Sequence, residues 1–280
     1  MSEPNHFRRF LTIWIGLSVV ATPLVVILAG PGLPPGKGSQ EASAQVADNT
    51  VLLGIATPIA AFILVYFAYS LIVFRHRAGG PVEGEAIRGN NRVQITWIIA
   101  TGVIVLFSAV YGTWRLFSGT GSGGGQGSSP IAKPSSSSGT GPLQVQVIGQ
   151  QWNWTYRFPS FGGVETTQLE LPVDQDVELH VTSLDVIHSF WARQLGVKAD
   201  ANPGVDNVAY VHPKNVEPFD IRCAELCGLF HGHMFQTGQV VSAPAFTAWI
   251  HRQQHIYGPA TKNLKPYNPS YLPVPERRAG

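Results

Sequence analysis

Five side chains in the second half of this 280-residue chain are of the types that hold a soft metal ion. Four lie in one run, Cys223-Ala-Glu-Leu-Cys227-Gly-Leu-Phe-His231-Gly-His-Met234. The fifth, His188 in Asp-Val-Ile-His188-Ser-Phe-Trp, stands 35 residues before the first cysteine. Thiolate, imidazole and thioether together are the donor set that copper favours. A single-copper site of the blue type uses one Cys, two His and a weak Met, so the second cysteine needs its own reason. Two thiolates four residues apart on one loop can bridge two copper ions. Each ion then needs one imidazole and a weak fourth ligand; His231 supplies one imidazole and His188 the other. A Cys223–Cys227 disulfide is an alternative in an oxidising compartment, but it leaves His231 and Met234 without a role. Zinc is another, though zinc has no use for Met. The chain has only these two cysteines, too few for a disulfide framework.

The elements that must position this set differ sharply along the chain. Charged residues make up 13% of it, about half the share usual in a soluble domain, which points to membrane segments. Up to Pro142 there are nine Lys/Arg against five Asp/Glu, and from Leu143 onward ten against twelve. No basic run or basic helix face appears, which excludes a nucleic-acid partner. Three apolar stretches come first: Phe10–Ala29, Val51–Phe74 and Val93–Phe117. The last two are long enough to cross ~30 Å of hydrocarbon as a helical hairpin. The loop between them carries Arg75, Arg77, Arg88 and Arg92 against Glu83 and Glu85, which places it, with Arg8 and Arg9, on the cytoplasmic side. Everything after Phe117 is then outside. Phe10–Ala29 is either a third helix or a signal peptide cleaved at Ala42-Ser43-Ala44, a site lying far beyond the apolar run.

Ser118–Pro142 is a Gly/Ser/Pro linker that cannot bury a core. Beyond it the pattern turns to short alternating runs. Leu143, Val145 and Val147 alternate with polar neighbours, as do Val177, Leu179 and Val181; 207–211, 218–223 and 236–241 predict further strands. Such spacing predicts an all-β sandwich or barrel, closed by one helix over 245–257. The expected partition is an N-terminal segment (1–50), a transmembrane hairpin (51–117), the linker (118–142), the β domain (143–258) and a Pro-rich tail (259–280).

The cysteine loop with the upstream His-Ser-Phe-Trp resembles the binuclear copper-A motif of cytochrome c oxidase subunit II. The likeness takes in the two central helices, the stretch Gln151-Trp152-Asn153-Trp154-Thr155-Tyr156 and the whole β domain. It implies a cupredoxin-like Greek-key barrel following two transmembrane helices, or three if the first is retained. It implies that Cys223 and Cys227 bridge two coppers, that His188 and Met234 complete one, and that His231 and the backbone carbonyl of Glu225 complete the other. The Glu225 side chain is then free to face a magnesium ion shared with subunit I; a solvated loop carboxylate is the alternative. Trp152, Trp154 and Tyr156, alternating on one strand face, resemble the aromatic patch that receives electrons, with Trp152 the acceptor and the others packing. Asp185, Lys198 and Asp200 match positions near the copper loop and the subunit I contact.

The implied role is an electron-transfer subunit in the plasma membrane of a bacterium, its copper domain outside. It takes electrons from cytochrome c and passes them to haem in subunit I, where oxygen is reduced and protons are pumped; other oxidase subunits and membrane lipid are its neighbours. A nitric oxide reductase with a copper-A subunit and a copper-delivery protein are the alternatives. A quinol oxidase subunit lacks these ligands, and nitrous oxide reductase lacks the helices. Two positions depart from the family pattern: Gln94 stands where a glutamate at a proton path is common, and Val205 follows Pro203-Gly204 where arginine is common. Glu83 or Glu85 are the substitutes nearest to Gln94. No Cys-x-x-Cys-His occurs, so no fused cytochrome c domain is present.

Overall fold

The computed structural model describes residues 5–75, 89–118, 125–126 and 141–262. Glu83, Glu85, Arg77, Arg88, most of the linker and the tail beyond 262 lie outside the described residues. The chain divides into two compact units, Met1–Gly32 with Asp48–Arg115 and Leu33–Ala47 with Leu116–Gly280.

The first unit is built from three helices long and apolar enough to cross a membrane. Helix α1 spans His6–Ala29, α2 Gln40–Val73 and α3 Asn91–Ser118. Large apolar side chains remain exposed along all three, Val20, Leu64 and Val105 among them, as expected of surfaces that meet lipid. An aromatic seam joins α1 to α2. Phe10 meets Phe62 edge-to-face at 5.2 Å, and Trp14 meets the same ring at 5.4 Å. Trp14 also donates its indole N–H to the carbonyl of Pro58 at 2.8 Å. At the other end of α2, Asp48 accepts hydrogen bonds from Arg115 Nε (2.6 Å) and Tyr111 Oη (2.8 Å) of α3.

Helix α2 has 34 residues, about 51 Å at 1.5 Å per residue, well beyond the ~20 residues a bilayer needs. The helix starts at Gln40, before the apolar stretch that begins at Val51. The extra turns belong to the second unit. There Ser39 is wholly buried; its hydroxyl donates to the carbonyl of Leu195 (2.7 Å) and accepts from the N–H of Ala42 (2.9 Å). Gln45 donates to Gly196 O at 2.6 Å, Glu41 accepts from the N–H of His212, and Asn215 donates to Lys37 O. Ala42 of the candidate cleavage site is buried in this strap.

The rest of the second unit is two sheets. Strand β1 is Gly125–Gln126, β2 Leu143–Gln150, β3 Asn153–Phe158, β4 Val164–Thr166, β5 Glu170–Pro172 and β6 Val177–Ser183. Then come β7 His188–Ala192, β8 Val197–Ala201, β9 Asn207–Val211, β10 Pro218–Cys223 and β11 Phe235–Val241. One sheet runs β1-β9-β6-β2-β3-β4 and the other β5-β11-β10-β7-β8. The expected strands at 143, 177, 207, 218 and 236 are all present within one residue of their starts. Their apolar sides interlock as one core, with Val147, Trp154, Phe190, Phe219 and Ile221 among its fully buried members. Helix α4 spans Ala243–Thr261, longer at both ends than 245–257. Ser242 caps it, and Phe246, Trp249, Ile250 and Gln253 make its buried stripe at the spacing of one helix face. Three apolar helices followed by a two-sheet β domain is thus the order of elements.

Candidate metal centre

The core brings the ligand set to the end of the five-stranded sheet. Cys223 closes β10 with its side chain inward, opposite Phe190 of β7, and His188 opens β7. The loop from Cys223 returns at Met234, whose carbonyl accepts the N–H of Cys223 at 3.1 Å. Inside that ring the donors converge. Cys223 Sγ lies 3.7 Å from Cys227 Sγ and 3.8 Å from His188 Nδ1. Cys227 Sγ lies 3.5 Å from His231 Nδ1 and 3.8 Å from Met234 Sδ. The carbonyl oxygen of Glu225 is 3.2 Å from Cys223 Sγ. Both cysteines are free and buried, so the disulfide alternative is not realised. His188 and Met234 are buried to within 2%. His188, Cys223 and Cys227 hold their donor atoms within 4.8 Å of one another.

Glycine is needed at two places around this ring. Gly228 has φ +115°, and a Cβ there would stand 2.9 Å from Gln151 Nε2 and 3.3 Å from the Trp152 ring. At Gly149 a Cβ would stand 3.0 Å from the Trp154 ring and 3.1 Å from that of His188.

A second layer fixes the first. Asp185 Oδ1 is 2.8 Å from His188 Nε2, so that nitrogen donates to the carboxylate and Nδ1 is left facing the thiols. The same carboxylate accepts the N–H of Gln151 at 2.7 Å. Gln151 in turn donates through its amide to the carbonyl of Cys227 (2.8 Å), where Trp152 Nε1 also donates (3.2 Å). Burial raises the Asp185 carboxyl, but its hydrogen bonds to Gln151, His188 and Val186 outweigh that and lower it. Five soft or imidazole donors, two of them free thiols close enough to share ions, are chemically suited to copper.

A family model described as the periplasmic domain of cytochrome c oxidase subunit II matches residues 165–241, which include His188, Cys223, Cys227, His231 and Met234. Cytochrome c oxidase subunit 2 of Thermostichus vulcanus is 29% identical over 287 residues, covering 88% of this chain and 86% of that relative. Over most of its length the chain is thus similar to subunit II of cytochrome c oxidases. Subunit 2 of Bacillus subtilis is 28% identical over 254 residues, 85% of this chain and 68% of its own. Among solved structures, the periplasmic domain of subunit II from Bradyrhizobium japonicum is 28% identical, covering 44% of this chain and 98% of its own, with a TM-score of 0.41.

The three aromatics do not share one strand face. Gln150 pairs with Asn153, so Trp152 sits in the hairpin turn between β2 and β3. There it is half-buried, and Phe230, itself 49% exposed, meets it edge-to-face at 4.9 Å. Trp154 and Tyr156 are wholly buried on β3. Trp154 packs against His188 at 5.9 Å between ring centres, whereas Tyr156 bonds Gln236 at 2.7 Å, away from the thiols. The Glu225 side chain is exposed, as is Asp200, which accepts from Ser189 Oγ at 2.7 Å. Lys198 stands on the outer face of β8, and Gln94 is exposed in the first turn of α3. Gln151 and Phe230 were not singled out in the sequence. Gln151 precedes the expected electron acceptor and Phe230 precedes an expected ligand histidine, and those adjacencies are their only sequence signal.

Proposed function

We propose that this chain takes electrons one at a time from cytochrome c at a bridged pair of copper ions outside the membrane. It hands them to haem in subunit I, where oxygen is reduced to water and protons are pumped. The observation that carries this is the convergence of two free thiols, two imidazoles and a thioether, each thiol with an imidazole within 3.8 Å. In this reading Cys223 and Cys227 hold both ions, His188 and Met234 complete one, and His231 and the Glu225 carbonyl complete the other. Copper held by these residues would supply a one-electron carrier.

The chain's own residues set the conditions for that transfer. The β framework and the Asp185–His188 bond hold the ligands in place, so little moves when the charge changes. Burial of the thiols and Met234 keeps water out. Trp152 offers the donor an indole bonded to the carbonyl of Cys227, a short route inward. The Glu225 side chain faces a magnesium ion shared with subunit I. The chain resides in the plasma membrane of a bacterium with 51–117 as its hairpin and 143–258 on the outer face.

Copper analysis and electron paramagnetic resonance on the purified full chain test this. Two coppers per chain sharing one unpaired electron are expected. One copper with a blue-site spectrum, or none, overturns the reading.

A further inference from the structure

Two histidines that the thiol centre does not use stand one helical turn apart on α4, in the run His251-Arg-Gln-Gln-His255. Residues four apart on a helix share one face, with Cβ atoms about 5–6 Å from each other. Both histidines are exposed. The helix that carries them is anchored on its other side. Trp249 packs on Phe158 of β3 at 5.5 Å between ring centres, and Thr166 of β4 donates to the amide oxygen of Gln253 at 3.3 Å. The backbone that sets the spacing of the two rings is therefore held by the β domain.

Gln254 fixes the orientation of one imidazole. Its amide nitrogen donates to the carbonyl of Phe161 at 2.9 Å, so its amide oxygen is the atom that faces His251. That oxygen lies 2.9 Å from His251 Nδ1. An amide oxygen only accepts, so Nδ1 donates and Nε2 is left for a ligand. A metal-bound imidazole is typically steadied in this way through its other nitrogen. Among the described residues neither ring is paired with a carboxylate. Arg252, between them in sequence, acts on Glu170 of β5; burial raises that carboxyl and the arginine's charge works against it.

We propose that His251 and His255 form a two-imidazole site for a divalent transition metal ion, zinc or copper(II). Imidazole suits both ions, and copper(II) binds such donors more tightly than zinc. The same spacing holds zinc in His-Glu-x-x-His helices, where the glutamate activates water. Arg252 occupies the position of that glutamate, so this site holds an ion without hydrolytic chemistry. Water fills the remaining coordination positions, and the exposure of both rings lets the ion exchange with the surroundings. The site shares no residue with the thiol centre and stands whether or not the thiols carry copper.

The test is zinc binding to the purified full chain in detergent, its thiols first loaded with copper, by equilibrium dialysis against zinc chloride. His251→Gln and His255→Gln are the variants; both positions are exposed, and glutamine is a good helix former. At zinc concentrations that saturate the wild type, each variant should bind one zinc fewer per chain. Affinity at the site should fall at least ~10-fold in each, because one imidazole alone cannot chelate. Copper(II) at equal concentration should displace that zinc. Equal zinc binding by the wild type and both variants overturns the proposal. A loss confined to one variant does so too, since it marks a single surface imidazole. Zinc that holds against copper(II) would contradict a site built of two imidazoles. Should the thiols take up no copper, the functional reading fails while this comparison stands, because wild type and variants differ only on α4.

Discussion

Cys223 and Cys227 lose their protons under different conditions, because their surroundings differ although their sulfurs are neighbours. Burial pushes the Cys223 thiol up, but its contacts with His188 and with the backbone at Ser189 and Glu225 outweigh this and bring it down to about 6. Burial pushes Cys227 up as well, and the neighbouring Cys223 adds to it, so that it reaches about 12. In the metal-free chain at neutral pH, an alkylating reagent should therefore modify Cys223 first, at a rate nearly constant between pH 7 and 9; peptide mass analysis reads which thiol reacted. Copper held by both thiolates must displace the Cys227 proton. Copper affinity should then rise about tenfold per pH unit over the same range, as competition with a chelator would report. The partner of His188 supplies a second prediction. Asp185→Asn removes the negative charge and one of the two oxygens that tie His188 and Gln151, and should weaken copper binding roughly 10–100-fold in the same titration, with the fold intact by circular dichroism. Asp185 was legible as an acid three residues before an expected ligand histidine. What the sequence did not reveal is that its second oxygen also ties Gln151, and through it the carbonyl of Cys227.

At the scale of elements, alternation located the strands because one side of each is buried, and the buried sides show directly in the pattern of Val, Leu and Ile. Two features escaped it. Trp152 shares the alternation of Trp154 and Tyr156 but sits in a tight turn, and periodicity does not register where a strand reverses. The early start of α2 was hidden because residues 40–50 are mostly polar; what makes them helical is contact with the β domain rather than an apolar face toward lipid. Ser39 is the hinge of that contact. Ser39→Ala removes both its bond to Leu195 and the helix cap at Ala42, and should cost about 1–2 kcal/mol. Thermal unfolding of the full chain in detergent, followed at the β-sheet signal, would show it as a lowered midpoint.

For the molecule as a whole, the acidic residues that might steer a basic donor are largely engaged at home. Glu165 pairs with Arg157, Asp176 with His212, Asp206 with His180, and Glu178 with both His180 and Tyr210. On the cysteine loop, whose Phe230 meets Trp152, the apolar side chains of Leu226, Leu229 and Phe230 are exposed. Docking of the donor should thus depend weakly on salt, since engaged charges steer little. Turnover with cytochrome c, measured from about 20 to 200 mM salt, is expected to change less than about three-fold; a steep fall would contradict it.

The strap from Leu33 to Ala47 has a consequence for the order in which the protein is made. Ser39 meets Leu195 across 156 residues of sequence, with two apolar helices between them. At ~5–20 residues per second the ribosome leaves the strap waiting some tens of seconds or less for its sheet to appear. During that interval α2 and α3 emerge and can enter the bilayer before any strand of the β domain has been made. Metal loading is therefore a late event in biogenesis: the pocket closes only after the chain has been threaded through the membrane and folded back upon its own beginning.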